Sequence, residues 1–377
     1  MSRWRALADC LLPVALLLQF AAARAPGVVE AVYARGAYPV IAELLGRASG
    51  SVPAPVGELL VIPLLLAWSG LAVWNWRAAR REQGRALATL GALSAGVGGP
   101  WLVFLACWGF NYQRLPFAVS VGLDTRPASL AELKDVCEDL AVASNRLREG
   151  LPEDAHGVLR LSDGPAHALG RVAAGFEGIA RLYPFLTISP GRPKRLLSST
   201  LFSYLGITGI YLPFTAEASV NLSVPDVELP FSASHETAHR LGVAREEEAN
   251  YVGYLACRLH PDREFRYAGT LAASSYALAA LARVNRRAYL DIAARRTPAV
   301  RRDLEALAGW SRRYRSRAAA VSSAVNDAFL RAQGQREGVR SYGRMVDLLI
   351  AERRTGSSPR PDSGRRLTDP PRAAEPR

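Results

Sequence analysis

Apolar positions divide the chain into three parts. In the first third, three stretches run almost free of charge, at about 6–23, 59–76 and 86–110. Ala6–Ala23 follows Arg3 and Arg5 and holds only Asp9. Leu59–Trp76 ends at Arg77, and Ala86–Gln113 lies between Arg85 and Arg114. A hydrocarbon core of about 30 Å is crossed by about 20 such residues as a helix. Residues 1–114 are therefore expected to form a membrane region with three transmembrane helices. Ala23-Arg24-Ala25 also has the form of a signal cleavage site, and Pro26 directly after it argues against cleavage.

From Leu115 the pattern becomes that of a water-facing domain, expected over 115–352. Ser129–Leu147 opens with Ser129 as an N-cap and places Leu130, Leu133, Val136, Cys137 and Leu140 at helical spacing. A second helical stretch covers about Pro165–Leu182. In Leu201–Leu222, Ile207, Ile210, Tyr211, Leu212, Phe214, Val220 and Leu222 stand among small residues, which predicts short strands. Pro213 has no N–H for a ladder, so its strand belongs at an edge or a break. A helical pair around Ser232–Cys257 and long arginine-bearing helices to about Glu352 follow. Residues 353–377 are rich in Pro, Ser, Asp and Arg without an apolar period, and predict a disordered tail. The fold class expected is α+β, mainly helical, with a small sheet.

Charge sets the orientation. The 377 residues carry 47 Lys+Arg against 34 Asp+Glu, a formal +13. The arginines are dispersed and accompany no nucleic-acid-binding motif, so nucleic acid is not an expected partner. Arg77, Arg80, Arg81 and Arg85 crowd the short second connection, whereas 24–58 has only Arg24, Arg35 and Arg47. Positive-inside logic puts the amino terminus and that short connection in the cytoplasm, and everything after the third span outside. The expected location is a bacterial cytoplasmic (inner) membrane, multi-pass, with the catalytic domain on the external face. The four cysteines form no C-x-x-C pair, which excludes a cysteine zinc ribbon or dithiol site. Cys137 and Cys257 can be bonded or free.

The chemistry is concentrated in His235-Glu236-Thr237-Ala238-His239. Positions i and i+4 share a helical face, so both imidazoles can reach one metal ion. Glu236 stands next to the first ligand, where it can take a proton from a water. With five histidines in the chain, chance occurrence is on the order of one in a few hundred, which favours a site over an exposed helix with unrelated histidines. His156, His167 and His260 have no ligand spacing and fit surface or capping roles.

A catalytic zinc usually has three protein ligands. The H-E-x-x-H-x-x-G run, ending at Gly242, opens like a metzincin, but the third histidine's place is Arg245, which cannot ligate. Glu246, Glu247 and Glu248 follow. Acidic residues there also suit a helix's first turn, yet one of them would complete His₂Glu. Glu246 is the expected ligand, with Glu248 the alternative, Glu247 pointing elsewhere and Asn250 orienting a histidine from behind.

The run LPFSASHETAHRLGVAREEEANYVGYLAC resembles a bacterial membrane-protein family of unknown function. That family joins N-terminal spans to an HE-x-AH-x-x-G…E-x-EAN signature. The resemblance extends to residues 33–39, Trp108-Gly109-Phe110-Asn111-Tyr112, residues 209–215, Val325-Asn326-Asp327 and residues 339–343. It implies a zincin-like, gluzincin-type metallopeptidase domain with His235, His239 and a following glutamate on Zn2+. The gap between His239 and the glutamates is shorter than in better-studied gluzincins.

These readings lead to a membrane-anchored zinc metallopeptidase in which Glu236 is the general base. Its partners would be a peptide or protein substrate and the lipid bilayer. An edge strand within Leu201–Leu222 could hold an extended peptide by β-addition. Tyr342, in the Ser-Tyr-Gly segment, is the expected oxyanion donor. The alternative is a non-catalytic zincin-like envelope binding or scaffold protein. Intramembrane proteolysis is disfavoured, because Arg240, Arg245 and three glutamates are costly at bilayer depth.

Overall fold

The computed structural model describes residues 3–79, 91 and 94–356. Helix α1 (Arg3–Arg24) stops before Ala25, and Pro26, well suited to a first helical position, opens α2 (Pro26–Gly50). The two meet at a 95° bend, and α2 contains a π-helical stretch, Val29–Ala37. Helices α3 (Val56–Ala79), α4 (Gly99–Cys107) and α5 (Phe117–Val121) follow, with a 3₁₀ turn at Gly109–Gln113. No single helix among the described residues is long and apolar enough to cross a membrane. The bent pair Cys10–Arg24 and Pro26–Gly50 has the length and hydropathy of a span only when taken together. Most of the arginine-rich connection and part of the expected span 86–110 lie outside the described residues; Ser94–Cys107 is a shorter apolar helix.

Helix α6 (Leu130–Arg148) starts where the pattern placed it. The Ser129 hydroxyl accepts from the Glu132 amide at 3.2 Å, and the Glu132 carboxylate accepts from the Ser129 amide at 2.8 Å, a reciprocal capping box. The stretch expected at Pro165–Leu182 forms as α7 (Pro165–Arg171) and α8 (Ala173–Leu182).

The sheet is small: β1 (Lys194–Arg195), β2 (Gly209–Leu212) and β3 (Glu217–Val220), in the order β1-β3-β2. Strand β1 is parallel and β2 antiparallel to β3. Strand β2 is an edge and stops just before Pro213, as the missing N–H requires. Leu201 is not in a strand: it belongs to α9 (Ser199–Tyr204), where the Ser203 hydroxyl bonds back to the Ser199 carbonyl at 2.9 Å. Lys194 on β1 donates to the Ser49, Val52 and Ala54 carbonyls at 2.7–2.8 Å and pairs with Glu217, tying the sheet to the end of α2.

Helix α10 (Leu229–Arg240) is buried along its whole length. It lies between the sheet and the helices α11 (Glu246–Leu259) and α12 (Arg263–Val284). A side chain at Gly253 of α11 would come 3.0 Å from the His235 amide, so glycine there permits the close approach. The chain continues through α13 (Arg286–Ala293), α14 (Pro298–Arg313), α15 (Arg317–Ala332), a 3₁₀ segment Gly338–Arg344 and α16 (Met345–Arg354). Helix α16 takes in the first residues assigned to the tail; residues 357–377 lie outside the described ones.

The N-terminal helices share this core. Tyr38, Ala42, Trp108 and Tyr112 pack in one apolar cluster with Phe231, Ala238 and Val252. Arg114 grips Glu30 of α2 at 2.9 and 2.8 Å and the Gly242 carbonyl at 3.0 Å. Tyr38 donates to the Arg240 carbonyl at 2.8 Å. Both buried polar networks end on the α10–α11 turn, which carries the site. Cys137 and Cys257 are buried free thiols.

Candidate metal centre

Helix α10 turns its two histidines the same way, one helical turn apart. His235 Nε2 and His239 Nε2 lie 3.1 Å from each other. The chain then reverses: Gly242 adopts φ +83°, the left-handed conformation that glycine tolerates best. Helix α11 therefore begins directly beside α10, and Glu246 in its first turn returns to the histidines. Glu246 Oε2 is 3.3 Å from His235 Nε2 and 3.5 Å from His239 Nε2. The short gap is therefore sufficient. His235, His239 and Glu246 form a buried group whose donor atoms can share one metal ion.

The surroundings prepare the donors. His239 Nδ1 lies 2.8 Å from the Val243 carbonyl. A carbonyl can only accept, so Nδ1 carries a proton, and Nε2 is the nitrogen that a metal ion would take once its own proton is lost. Trp108 donates to the His239 carbonyl at 3.3 Å and meets its ring edge-on at 5.9 Å. Glu246 Oε2 is buried without a hydrogen-bond partner, an acceptor that an ion held by the two Nε2 atoms would complete.

Electrostatics agree with a preformed cluster. Burial alone would lower His239, but the Glu246 and Glu236 carboxylates outweigh it and push the imidazole up to about 9. Burial alone would raise Glu246, but the His239 and His235 imidazoles hold its carboxyl far below the usual range. Glu236 goes the other way. Burial raises it and Glu246 adds to that, against the opposing pull of the imidazoles and the Tyr211 amide.

Glu236 lies against β2. A Cβ on Gly209 would be 2.6 Å from Glu236 Cγ and 2.8 Å from Oε1. The carboxylate is thus packed on bare strand backbone, with no side chain between. Tyr342 also reaches the site. Its ring stacks on His235 at 6.3 Å and 18°, and Asn326 of α15 donates to its hydroxyl at 3.4 Å. Burial raises the hydroxyl well above its usual pKa, and the Glu246 carboxylate raises it further.

One expected assignment changes, and the alternative third ligand falls away. Asn250 does not orient an imidazole; its amide donates to the Tyr342 carbonyl at 3.0 Å, so it holds the segment carrying that tyrosine. Glu248 does not join the cluster. It accepts from the Phe117 amide at 2.7 Å and pairs with Arg245 at 3.2 Å. Glu247 faces elsewhere, into an open cavity with Arg245 and Arg344. Outside the site, His156 and His167 are exposed. His260 is buried, stacked on Phe265 at 3.8 Å, and accepts from the Asp262 amide beyond the end of α11. Sequence reasoning missed the roles of Trp108, Tyr211 and Asn326, whose only signal is that each stands in one of the short runs quoted above.

Residues 33–350 match the family described as protein of unknown function, DUF3810. The chain belongs to the DUF3810 family. The DUF3810 match runs from α2 into α16 and includes Tyr38, Trp108, His235, His239, Glu246 and Tyr342. No curated protein and no solved structure matches the chain.

Proposed function

We propose that this chain is a membrane-anchored, zinc-dependent metallopeptidase. The observation that carries the reading is the placement of Glu236 beside a buried His235–His239–Glu246 donor set. Donors arranged tetrahedrally at about 2.0–2.1 Å from zinc stand about 3.3–3.4 Å apart, and the three observed separations, 3.1, 3.3 and 3.5 Å, straddle that value. Two imidazoles and one carboxylate also suit zinc's ligand preference, with a fourth position left open. Bound there, zinc acts as a Lewis acid, polarising a carbonyl and lowering the pKa of a water to about 7.

The chain's own groups do the rest. Glu236 accepts a proton from the attacking water and later returns it to the leaving amine. Its raised carboxyl pKa brings it nearer neutrality, where a general base that must also act as an acid is most effective. Tyr342 offers its hydroxyl to the developing oxyanion, with Asn326 holding it from the far side. Strand β2 leaves an edge for an extended peptide. Anchoring rests on the bent apolar pair, and the stretches 59–76 and 86–110 add further spans in a multi-pass arrangement with this site outside the cytoplasm.

One observation favours a non-catalytic scaffold: His235, Glu236, His239 and Glu246 are each less than a tenth exposed. Against it, merely retaining a metal gives no reason for Glu236. The test is the purified full chain on a peptide library. Glu236→Gln is expected to keep its metal and lose cleavage by about 10²–10⁴-fold, the contribution of a positioned base. Undiminished cleavage by Glu236→Gln would overturn the reading.

A further inference from the structure

Helix α15 has two unlike faces. Ala319, Ser322, Asn326, Phe329 and Leu330 turn inward. Through Asn326 the helix touches Tyr342, and through Phe329 it packs on Phe104 and Tyr112 at 6.1 and 5.8 Å. It thus packs on the segment that carries Tyr342, beside the metal centre. The outward face holds Ala318, Val321, Ala324, Val325 and Ala328, with Val321 and Val325 63 and 64 % exposed. No charged residue occurs from Ala318 to Asn326. A helix exposed to water would carry charge on that face, as α14 does at Arg301 and Glu305.

Two observations identify what covers this face. The first is continuity. At its C-terminal end the helix meets α1, where Gln19 donates to the Ala332 carbonyl at 3.5 Å and Gln333 Oε1 at 3.4 Å. Leu16, Leu17 and Phe20 beside it are exposed. At its N-terminal end Ser316 donates to the Tyr204 carbonyl at 2.6 Å, next to exposed Leu201 and Tyr204. An apolar strip therefore runs from the bent apolar pair across α15 to α9. The second is charge. Arg312, Arg313, Arg315 and Arg317 precede the uncharged face; after it come Asp327, paired with Arg331 at 2.7 Å, and Arg336. An apolar helix face bordered by arginines is the form of a helix lying in the interfacial layer of an anionic bilayer.

We infer that α15 is an interfacial helix whose outer face rests on an anionic lipid surface while its inner face packs beside the metal centre. The substrates of the peptidase proposed above, on which this part rests, are then peptide segments lying along that surface next to the membrane.

The test uses the full chain in nanodiscs of phosphatidylcholine and phosphatidylglycerol in equal parts. Cys10 and Cys107 are replaced by serine, and an environment-sensitive fluorophore is placed at Val325→Cys. A second sample carries it at Glu305→Cys on α14. Lipids with a quencher near the headgroup should quench the label at 325 at least about twofold more strongly than that at 305. Adding Val321→Glu should remove the difference. Equal quenching at both positions overturns the proposal. So does a response at 325 that follows protein concentration and not lipid, because a second copy then covers the face. The quenching is read without any cleavage, so it stands even if no peptidase activity is found. With activity in hand, Val321→Glu combined with Val325→Glu should slow cleavage of a lipid-tethered peptide several-fold and leave a free peptide unaffected. Equal loss on both overturns the substrate assignment.

Discussion

Gly209→Ala tests whether Glu236 works from the position it occupies. The added Cβ would stand 2.6 Å from Glu236 Cγ and 2.8 Å from Oε1, where ordinary contact begins near 3.4 Å. The backbone at Gly209 is ordinary strand, so alanine adds no torsional strain there. Instead the glutamate must retreat by about 0.8 Å, the shortfall at Cγ. A misplacement of about 1 Å at a reacting group costs on the order of 10²-fold, or about 2.7 kcal/mol of transition-state stabilisation. The three nearest atoms to this Cβ all belong to Glu236, so metal content should be unchanged. The assay pairs kcat/KM on a fluorogenic peptide, chosen from the library, with metal analysis of the same sample. A loss near 10²-fold with full metal is the expected result. Activity within about threefold of the parent would refute the positioning argument, because a carboxylate displaced so far cannot act unimpaired.

Tyr342→Phe should lower kcat by about 10²–10³-fold, the usual effect of removing one oxyanion donor, with metal content retained; unchanged kcat would remove that role. Glu248→Ala leaves the buried Phe117 amide unpaired and should cost about 1–3 kcal/mol in denaturant unfolding. Its metal content should match the parent, and loss of metal there would reassign the third ligand. The metal-free chain should lose thermal stability as pH rises. His239 is pushed up to about 9 by its carboxylate neighbours, above an unfolded value of about 6.5. Its protonated form therefore stabilises the fold fully below that unfolded value, and the contribution is lost as pH rises through about 9. Thermal melts between neutral and alkaline pH should show this fall after chelation and not in the metal-loaded protein. Parallel curves would contradict it.

Some of this architecture was readable from local patterns because its causes are local. Ser129 and Glu132 cap each other three residues apart, Pro213 cannot donate to a ladder, and His235 and His239 share a face by helical period alone. Glu246 and Glu248 could not be separated in the same way. The choice depends on the left-handed Gly242, which sets where α11 starts, and on the distant Phe117 amide, which takes Glu248 out of the site. Trp108 reaches the His239 carbonyl from another part of the chain, and nothing in its immediate sequence carries that information. Helix α9 (Ser199–Tyr204) occupies the start of a segment whose strand-favouring residues begin only at Ile207, so an apolar count over the whole segment does not separate the two. The π-helical stretch in α2 has no signal in hydropathy, since it changes residues per turn without changing composition.

The most direct measurement is the metal stoichiometry of the purified full chain, determined beside His235→Ala, His239→Ala and Glu246→Gln. About one zinc per chain is expected in the parent, with each single change reducing it to a small fraction while Glu236→Gln keeps it whole. A parent that binds no divalent ion, or a Glu246→Gln chain that holds zinc as firmly as the parent, would contradict a centre built from these three side chains.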